Sequence, residues 1–367
     1  MNEWILRIDE GTRGGPRLAV KDAIDVAGTV TTVGCKALAD AAVVAKVDAT
    51  CVATARAAGA HIVGKANLHE LCFGTTGLNP TFGNPVNPRW PDLVPGGSSS
   101  GSAVAVVLDE ADVAYGTDTG GSVRLPAACC GIAGLKTTHG RVPLDGVWPL
   151  APSLDTVGPL ARDIAGLVTG MQFLEPGFTV DGVAPQTVVG RLASPTDVLV
   201  DPAFDKAVDA ALLDAEMNLE PVELEGWDRC GRSFAMVIGY EAWQSNEKLM
   251  AIPDGVHPYV AERLNGCASI TKDAYDEALR AMEEWTREVL ALLRRVPVLA
   301  LPTLDQPPLT LDAGHLPNPL VYPFNLAGVP AVSIPLSGGP GTSLQLVAAP
   351  GGEELLLATA ARVEASL

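Results

Sequence analysis

Two glycine–serine clusters lie close together within residues 95–137. The first is Gly96-Gly97-Ser98-Ser99-Ser100-Gly101-Ser102 and the second is Gly116-Thr117-Asp118-Thr119-Gly120-Gly121-Ser122. An apolar run, 103–108, and an acidic turn, 109–112, divide them, and Arg124-Leu125-Pro126 follows the second. Glycines allow φ > 0 and close approach to a ligand, and successive N–H groups there form an anion-binding nest. A serine at the end of such a nest is placed for nucleophilic attack beside an oxyanion hole, and Ser122 is the best candidate. This arrangement suits attack on a carbonyl carbon. Such a reaction needs an activated nucleophile, a base that later protonates the leaving group, and donors for the oxyanion.

A serine does not ionise alone near neutral pH, so a base is required. The five histidines, at 61, 69, 139, 257 and 315, all stand apart from the candidate serines in sequence. A neutral lysine is the other option, and burial is one way to lower its pKa from about 10.4. Lys21 follows Leu18-Ala19-Val20 at a strand end and fits that role, although an ordinary strand-end charge reads the same way. Other motifs lack their context. Residues 97–101 match G-x-S-x-G, but the preceding PRWPDLVP cannot be the central strand that a nucleophile elbow needs. Ser245-Asn246-Glu247-Lys248 matches S-x-x-K without S-D-N or K-T-G, and His69-Glu70 lacks the second histidine of H-E-x-x-H. Neither a Walker loop nor a dinucleotide fingerprint occurs, so no cofactor is expected, and no ligand cluster suggests a metal.

The surrounding pattern says what must hold these residues. Residues 18–21 read as a short buried strand, 28–34 as a loop or edge strand, 48–60 as a helix capped by Asp48 and stopped near Gly59, and 61–65 as a strand. That β–loop–α–β unit makes part of the sheet parallel. Residues 67–88 are irregular, 102–108 helical, and 113–115 a strand running straight into the second cluster. Residues 131–142 and 153–160 supply further core strands and turns, and 175–185 is a linker. Helices are expected over 201–218 and 271–295, with 230–268 irregular between them. Strands at 298–301, 331–336 and 343–348 precede a closing helix, 353–365. The fold class is α/β: a mixed, largely parallel central sheet sandwiched between helices. It forms one domain over 1–367, with a small helical subregion at 181–290.

Composition sets bounds on function. The 367 residues are 47% hydrophobic, ample for a large core, and the net charge of −18 argues against nucleic-acid or anionic-membrane surfaces. The seven cysteines include no C-x-x-C pair and read as reduced thiols of a cytoplasmic protein. Cys129 and Cys130 read as buried and inert. The N-terminal MNEWILRIDEG lacks an apolar signal core, and no apolar run reaches the roughly 18 residues of a membrane span.

The two clusters, with Arg124-Leu125-Pro126 and Cys130-Gly131-Ile132-Ala133-Gly134-Leu135-Lys136-Thr137, resemble the amidase signature family. Ala19-Val20-Lys21-Asp22-Ala23-Ile24-Asp25-Val26-Ala27-Gly28 and Tyr322-Pro323-Phe324-Asn325-Leu326-Ala327-Gly328-Val329-Pro330 resemble two further motifs of that family. The likeness is close over about 14–178 and looser over 297–365. It implies amide hydrolysis by a Ser–cis-Ser–Lys triad in which Lys21 is the base, Ser98 the bridge and Ser122 the nucleophile. The Gly97–Ser98 peptide bond would then be cis. It implies an oxyanion hole of the Thr119, Gly120, Gly121 and Ser122 N–H groups. Asp118 and Arg124 would support the loop, Arg124 with a second option of reaching a polar substrate group, and Ser99 and Thr117 would hydrogen-bond within the site. Cys72, Phe73, Gly74 and Trp148 are candidates to line the acyl pocket, with core packing the competing role for each. The expected partners are a small-molecule amide and a second copy of the chain, with no nucleic acid and no membrane.

Three rival functions remain beside amide hydrolysis. One is a carbamate or aryl-amide hydrolase on the same scaffold. Another is the glutaminase subunit of a tRNA-dependent amidotransferase. The third, an inactive binding protein, sits poorly with three intact triad positions. The chain is shorter than many members of the family. The shortfall lies ahead of Lys21 and within 181–290, so the substrate class does not carry over.

Overall fold

The computed structural model of the chain describes residues 2–8, 14–195, 198–312 and 314–367. Within them run the strands β1 (Trp4–Arg7), β2 (Arg17–Lys21), β3 (His61–Ala66), β4 (Val113–Thr117), β5 (Ala133–Lys136) and β6 (Val157–Ala161). They continue with β7 (Val188–Leu192), β8 (Asn218–Val222), β9 (Val298–Pro302), β10 (Ala331–Pro335) and β11 (Ser343–Ala348). All belong to one 11-stranded sheet in the order β1-β3-β2-β4-β6-β5-β10-β11-β9-β7-β8. Two parallel blocks, β3-β2-β4 and β9-β7-β8, are joined by antiparallel neighbours.

The strands near the site are buried on both faces, which is why they read as apolar runs instead of alternating ones. Strand periodicity sends Leu18 and Val20 of β2 into one core cluster and Ala19 into another on the opposite face. The first face carries the helices Thr50–Ala57, Ile164–Leu174, Pro202–Asp214 and Glu353–Glu364. On the other, helix Ser100–Val107 supplies Ala103, Val104, Ala105 and Val106 to the Ala19 cluster. Lys21, two residues beyond Ala19, therefore projects toward the side where that helix begins. Parallel register sets Leu18 opposite Val113 and Val20 opposite Tyr115, so the carboxyl ends of β2 and β4 lie side by side. That edge of a parallel sheet is where α/β proteins place ligands.

Several expectations need correction. Asp48 does not cap its helix: Ala49 is the cap residue, while the Asp48 carboxylate accepts from Ala27 N at 2.7 Å and Arg56 Nε at 2.8 Å. The stretch 230–268 is not irregular, because the helices Trp227–Asn246 and Pro258–Cys267 occupy most of it. The region 181–290 is not only helical: β7 and β8 extend the central sheet, and helix 201–218 stops early so that Asn218 can begin β8. Thr271 caps the helix Lys272–Arg295 through Ala274 N at 3.2 Å. No helix among the described residues is long and apolar enough to cross a membrane.

Candidate active site

Lys21 closes β2 with no exposed surface, and its Nζ lies 2.7 Å from Ser98 Oγ and 2.7 Å from Thr117 Oγ1. Burial pushes the Lys21 pKa below its ordinary value; Cys72, Asp118 and Asp155 oppose that without cancelling it. The adjacent acids face elsewhere. Asp22 pairs with buried Lys65 at 2.9 Å, and Asp25 accepts from Thr31 Oγ1 at 2.6 Å. Lys21 can thus be a neutral amine with its lone pair free for a hydroxyl proton.

Ser98 follows a cis Gly97–Ser98 peptide bond, and its carbonyl accepts from His69 N at 3.0 Å. Gly97 has no room for a side chain, since a Cβ there would sit 2.6 Å from Gly77 N. The second cluster leaves the end of β4 and turns around the carboxylate of Asp118. That carboxylate accepts from Gly121 N at 2.8 Å, Val123 N at 3.1 Å, Arg124 Nε at 3.1 Å and Asn325 Nδ2 at 2.7 Å. Burial alone would raise the Asp118 pKa; Arg124, Lys136 and Asn325 outweigh it and hold it below the usual carboxylate range. Thr119 Oγ1 donates to Asp155 at 2.7 Å and Asn318 Nδ2 to Gly120 O at 2.7 Å, so the nest is held from both sides. Ser99 N donates to Ser122 O at 3.2 Å and Ser99 Oγ to Thr117 O at 3.3 Å, which ties the two clusters together.

Lys21 and Ser98 are sealed at 0% exposure, whereas Ser122, at 7%, faces a cavity of about 440 Å³. Thr119 and Gly120 line the same cavity, as do the expected Cys72, Phe73 and Gly74. Trp148 does not; its indole N donates to Asn246 Oδ1 at 3.2 Å, and Leu150 takes the wall position instead. Arg124 does not reach a substrate either. It is fully buried, and its donors go to Asp118, Asn325, Gln345 Oε1 and Val321 O. The expected oxyanion set also shrinks. The Gly121 N–H is taken by Asp118, while those of Thr119, Gly120 and Ser122 have no backbone or side-chain acceptor among the described residues.

None of the histidines hydrogen-bonds Ser98 or Ser122 through its ring among the described residues. His69 is buried with its pKa pushed down to about 3, mainly by desolvation, and its Nδ1 lies 3.3 Å from Thr76 Oγ1. His139 meets Pro152 O at 3.0 Å, and His257 caps helix Pro258–Cys267. His315 lines the cavity with its Nδ1 3.0 Å from Thr75 Oγ1. Sequence reading missed Thr75, Leu150, Phe234, Arg263, His315 and Asn318 of the lining, and Asp155 and Asn325 of the support. Only Asn325 and Tyr322 carried a signal, because the 322–330 motif contains both.

A buried amine on one serine hydroxyl, a second serine facing a cavity and a nest of free N–H groups form, on a mixed α/β sheet, an arrangement chemically able to carry out serine-type acyl transfer. The chain belongs to the amidase family: the family model described as Amidase matches residues 15–357. It is therefore an amidase-family hydrolase acting on C–N bonds. Among its relatives is "Amidase 1" of Oryza sativa subsp. japonica, 32% identical over 88% of this chain and 83% of that protein. Another is the A component of glutamyl-tRNA(Gln) amidotransferase of Natronomonas pharaonis, 32% identical over 91% of this chain and 90% of that protein. A solved structure described as "Crystal structure of amidase" superposes with a TM-score of 0.89 at 31% identity, covering 100% of this chain and 92% of that one.

Proposed function

We propose that this chain hydrolyses the C–N bond of a small carboxylic amide through an acyl-enzyme on Ser122. Neutral Lys21 takes the proton of Ser98 as Ser98 Oγ takes that of Ser122. The Ser122 oxygen then bonds to the carbonyl carbon, and the N–H groups of Thr119, Gly120 and Ser122 receive the oxyanion. As the tetrahedral adduct collapses, the C–N bond breaks and the proton returns through Ser98 to the departing amine or ammonia. Water repeats the sequence on the acyl carbon and frees the acid and Ser122. The observation that carries this reading is the Lys21 Nζ to Ser98 Oγ contact of 2.7 Å, made by an amine with no solvent exposure. We further propose that the whole chain acts as one unit, in the cytoplasm.

Ammonia release by the purified protein is the test. Ser122→Ala loses measurable turnover on the best amide of a panel spanning aliphatic amides, aryl amides, carbamates and dipeptide amides. A variant keeping a tenth of wild-type activity contradicts the assignment. A second reading, the amide-hydrolysing component of an amidotransferase built from several different chains, draws support from the Natronomonas pharaonis relative. Full turnover by the isolated chain rejects it; turnover that appears only with added partner chains favours it.

A further inference from the structure

Ser98 is not the only neighbour of the Lys21 amine. Nζ lies 2.7 Å from Thr117 Oγ1 as well, and Thr117 Oγ1 lies 3.8 Å from Cys72 Sγ. Cys72, Thr117, Lys21 and Ser98 thus form one chain of polar contacts, each residue at most 4% exposed. Cys72 reaches its place through an unusual backbone. Leu71 and Cys72 both hold left-handed φ angles, 52° and 57°, in the turn Glu70–Cys72. Residues with a Cβ adopt that region rarely, and only where the surroundings enforce it. Here Leu71 N donates to Val33 O at 2.9 Å and Cys72 N to His69 O at 3.0 Å. Proton counting then fixes the direction of the side-chain bonds. A neutral amine has two N–H donors and one lone pair, and a base must point the lone pair at the hydroxyl it deprotonates. Lys21 therefore accepts from Ser98 and donates to Thr117. The Thr117 hydroxyl has a single proton to give, and Cys72 Sγ is the one acceptor other than Lys21 within its reach among the described residues.

We propose that Cys72 is a positioning residue: its sulfur holds the Thr117 proton away from Lys21, so that the lone pair of the amine stays on Ser98. Without that sulfur the Thr117 hydroxyl turns round and donates to the lone pair, in competition with Ser98. The turned hydroxyl bonds only the neutral amine, so it favours loss of the lysine proton while blocking the use of the lone pair as a base. Cys72→Ala should therefore lower activity on the high-pH plateau and move the midpoint of the pH profile to lower pH. A site that is merely looser and wetter moves the midpoint the other way, because a hydrated lysine keeps its proton longer. The other titratable groups facing Lys21 are His69, Asp118 beside the nest and Asp155 on Thr119, and none of the variants below touches them. The inference rests on the proposed relay from Ser122 through Ser98 to Lys21, and not on which amide is cleaved.

The probe is phenylmethylsulfonyl fluoride, which reports on the relay without an amide. The Ser122 oxygen bonds its sulfur, fluoride leaves, and the serine proton passes through Ser98 to Lys21. Labelling rates are followed by mass across the pH range in which the protein stays folded, peptide mapping places the label, and ammonia release gives kcat/KM. Cys72→Ala is expected to label about 10-fold more slowly on the plateau, with its midpoint at lower pH than that of the wild type. Cys72→Ser, whose hydroxyl again accepts, should recover most of the rate. Thr117→Val has no hydroxyl to turn, so adding Cys72→Ala to it should change the rate by less than about twofold. An unchanged plateau, a midpoint moved to higher pH, a serine variant as slow as the alanine one, or an equal effect of Cys72→Ala with and without the Thr117 hydroxyl overturns the proposal. A wild type that is never labelled at Ser122 overturns it together with the relay. If labelling behaves as expected while no amide is cleaved, the inference stands and the proposed reaction falls.

Discussion

Lys21 is an ordinary residue in an unusual place, and its chemistry follows from the place. A lysine without solvent, set against two hydroxyls, loses its proton more readily than one in water. In the proposed mechanism the neutral form is the active one, so kcat/KM should rise with pH through the depressed Lys21 pKa and level off above it. A profile that falls across the same range contradicts a lysine base. Lys21→Arg should be inactive at every pH, because arginine does not give up its proton. Lys21→Ala should lose about 10²- to 10⁴-fold in kcat. An active arginine variant would make position 21 a fixed cation. Lys21, Ser98 and Ser122 were legible in the sequence because each sits inside a local motif. The contacts of Asp155 with Thr119 and of Asn325 with Asp118 were not, because they join parts of the chain 36 and 207 positions apart. Of the four candidates for the lining, Cys72, Phe73 and Gly74 face the cavity, while Trp148 takes the competing packing role, because an aromatic near a site packs as readily into its wall as onto its surface.

The elements succeed or fail as signals for similar local reasons. β2 and β4 were visible as short apolar runs ending at a charge and at a glycine cluster, and their parallel register brings Lys21 beside the nest. The helix Trp227–Asn246 was hidden by Gly231 and Gly239, which weaken a helical pattern by about 1 kcal/mol each. Both sit close to neighbouring side-chain tips: a Cβ at 231 would meet Tyr322 Oη at 2.8 Å, and one at 239 would meet Ile270 Cδ1 at 2.7 Å, so either tip would have to move. β8 beyond Asn218 has no assignment in the sequence reading, because Pro221 and an exposed edge leave it little strand character. The nest itself depends on Asp118. Asp118→Asn leaves the buried Arg124 without its charge partner and should cost about 3–5 kcal/mol in denaturant unfolding, with a loss of kcat as the loop slackens. A loss under about 1 kcal/mol would show that Asn325 and Gln345 hold Arg124 by themselves.

At the scale of the whole molecule, alkaline pH favours the chemistry and disfavours the fold. Burial pushes Cys35, Cys51 and Cys130 up to about 12, and Cys129 and Cys230 are also raised well above their ordinary value. In the unfolded chain these thiols ionise near 8.5, so above that pH the native state holds protons that the unfolded state has lost. Their stabilisation is present below about pH 8.5 and is lost progressively as pH rises toward 12, at up to about 1.4 kcal/mol per pH unit for each thiol. Lys136, lowered to about 7 by burial and then Arg124, and Lys21 act in the opposite sense, because the unfolded chain binds their protons up to about 10.4. The thiols outnumber the amines. Melting temperature should therefore fall steadily between pH 8.5 and 10, and scanning calorimetry that finds a flat or rising Tm there contradicts the balance. The alkaline limit of activity then marks unfolding, not a second titration in the site.

The central claim is the covalent step at Ser122. It is tested most directly by quenching the wild-type enzyme in acid during turnover of its slowest amide, digesting it, and locating the acyl mass on a peptide. The account predicts one acyl group on Ser122, absent from Ser122→Ala and strongly diminished in Lys21→Ala. An acyl group on Ser98, or turnover with no acylated peptide while a known acyl-enzyme processed alongside is captured, would contradict it.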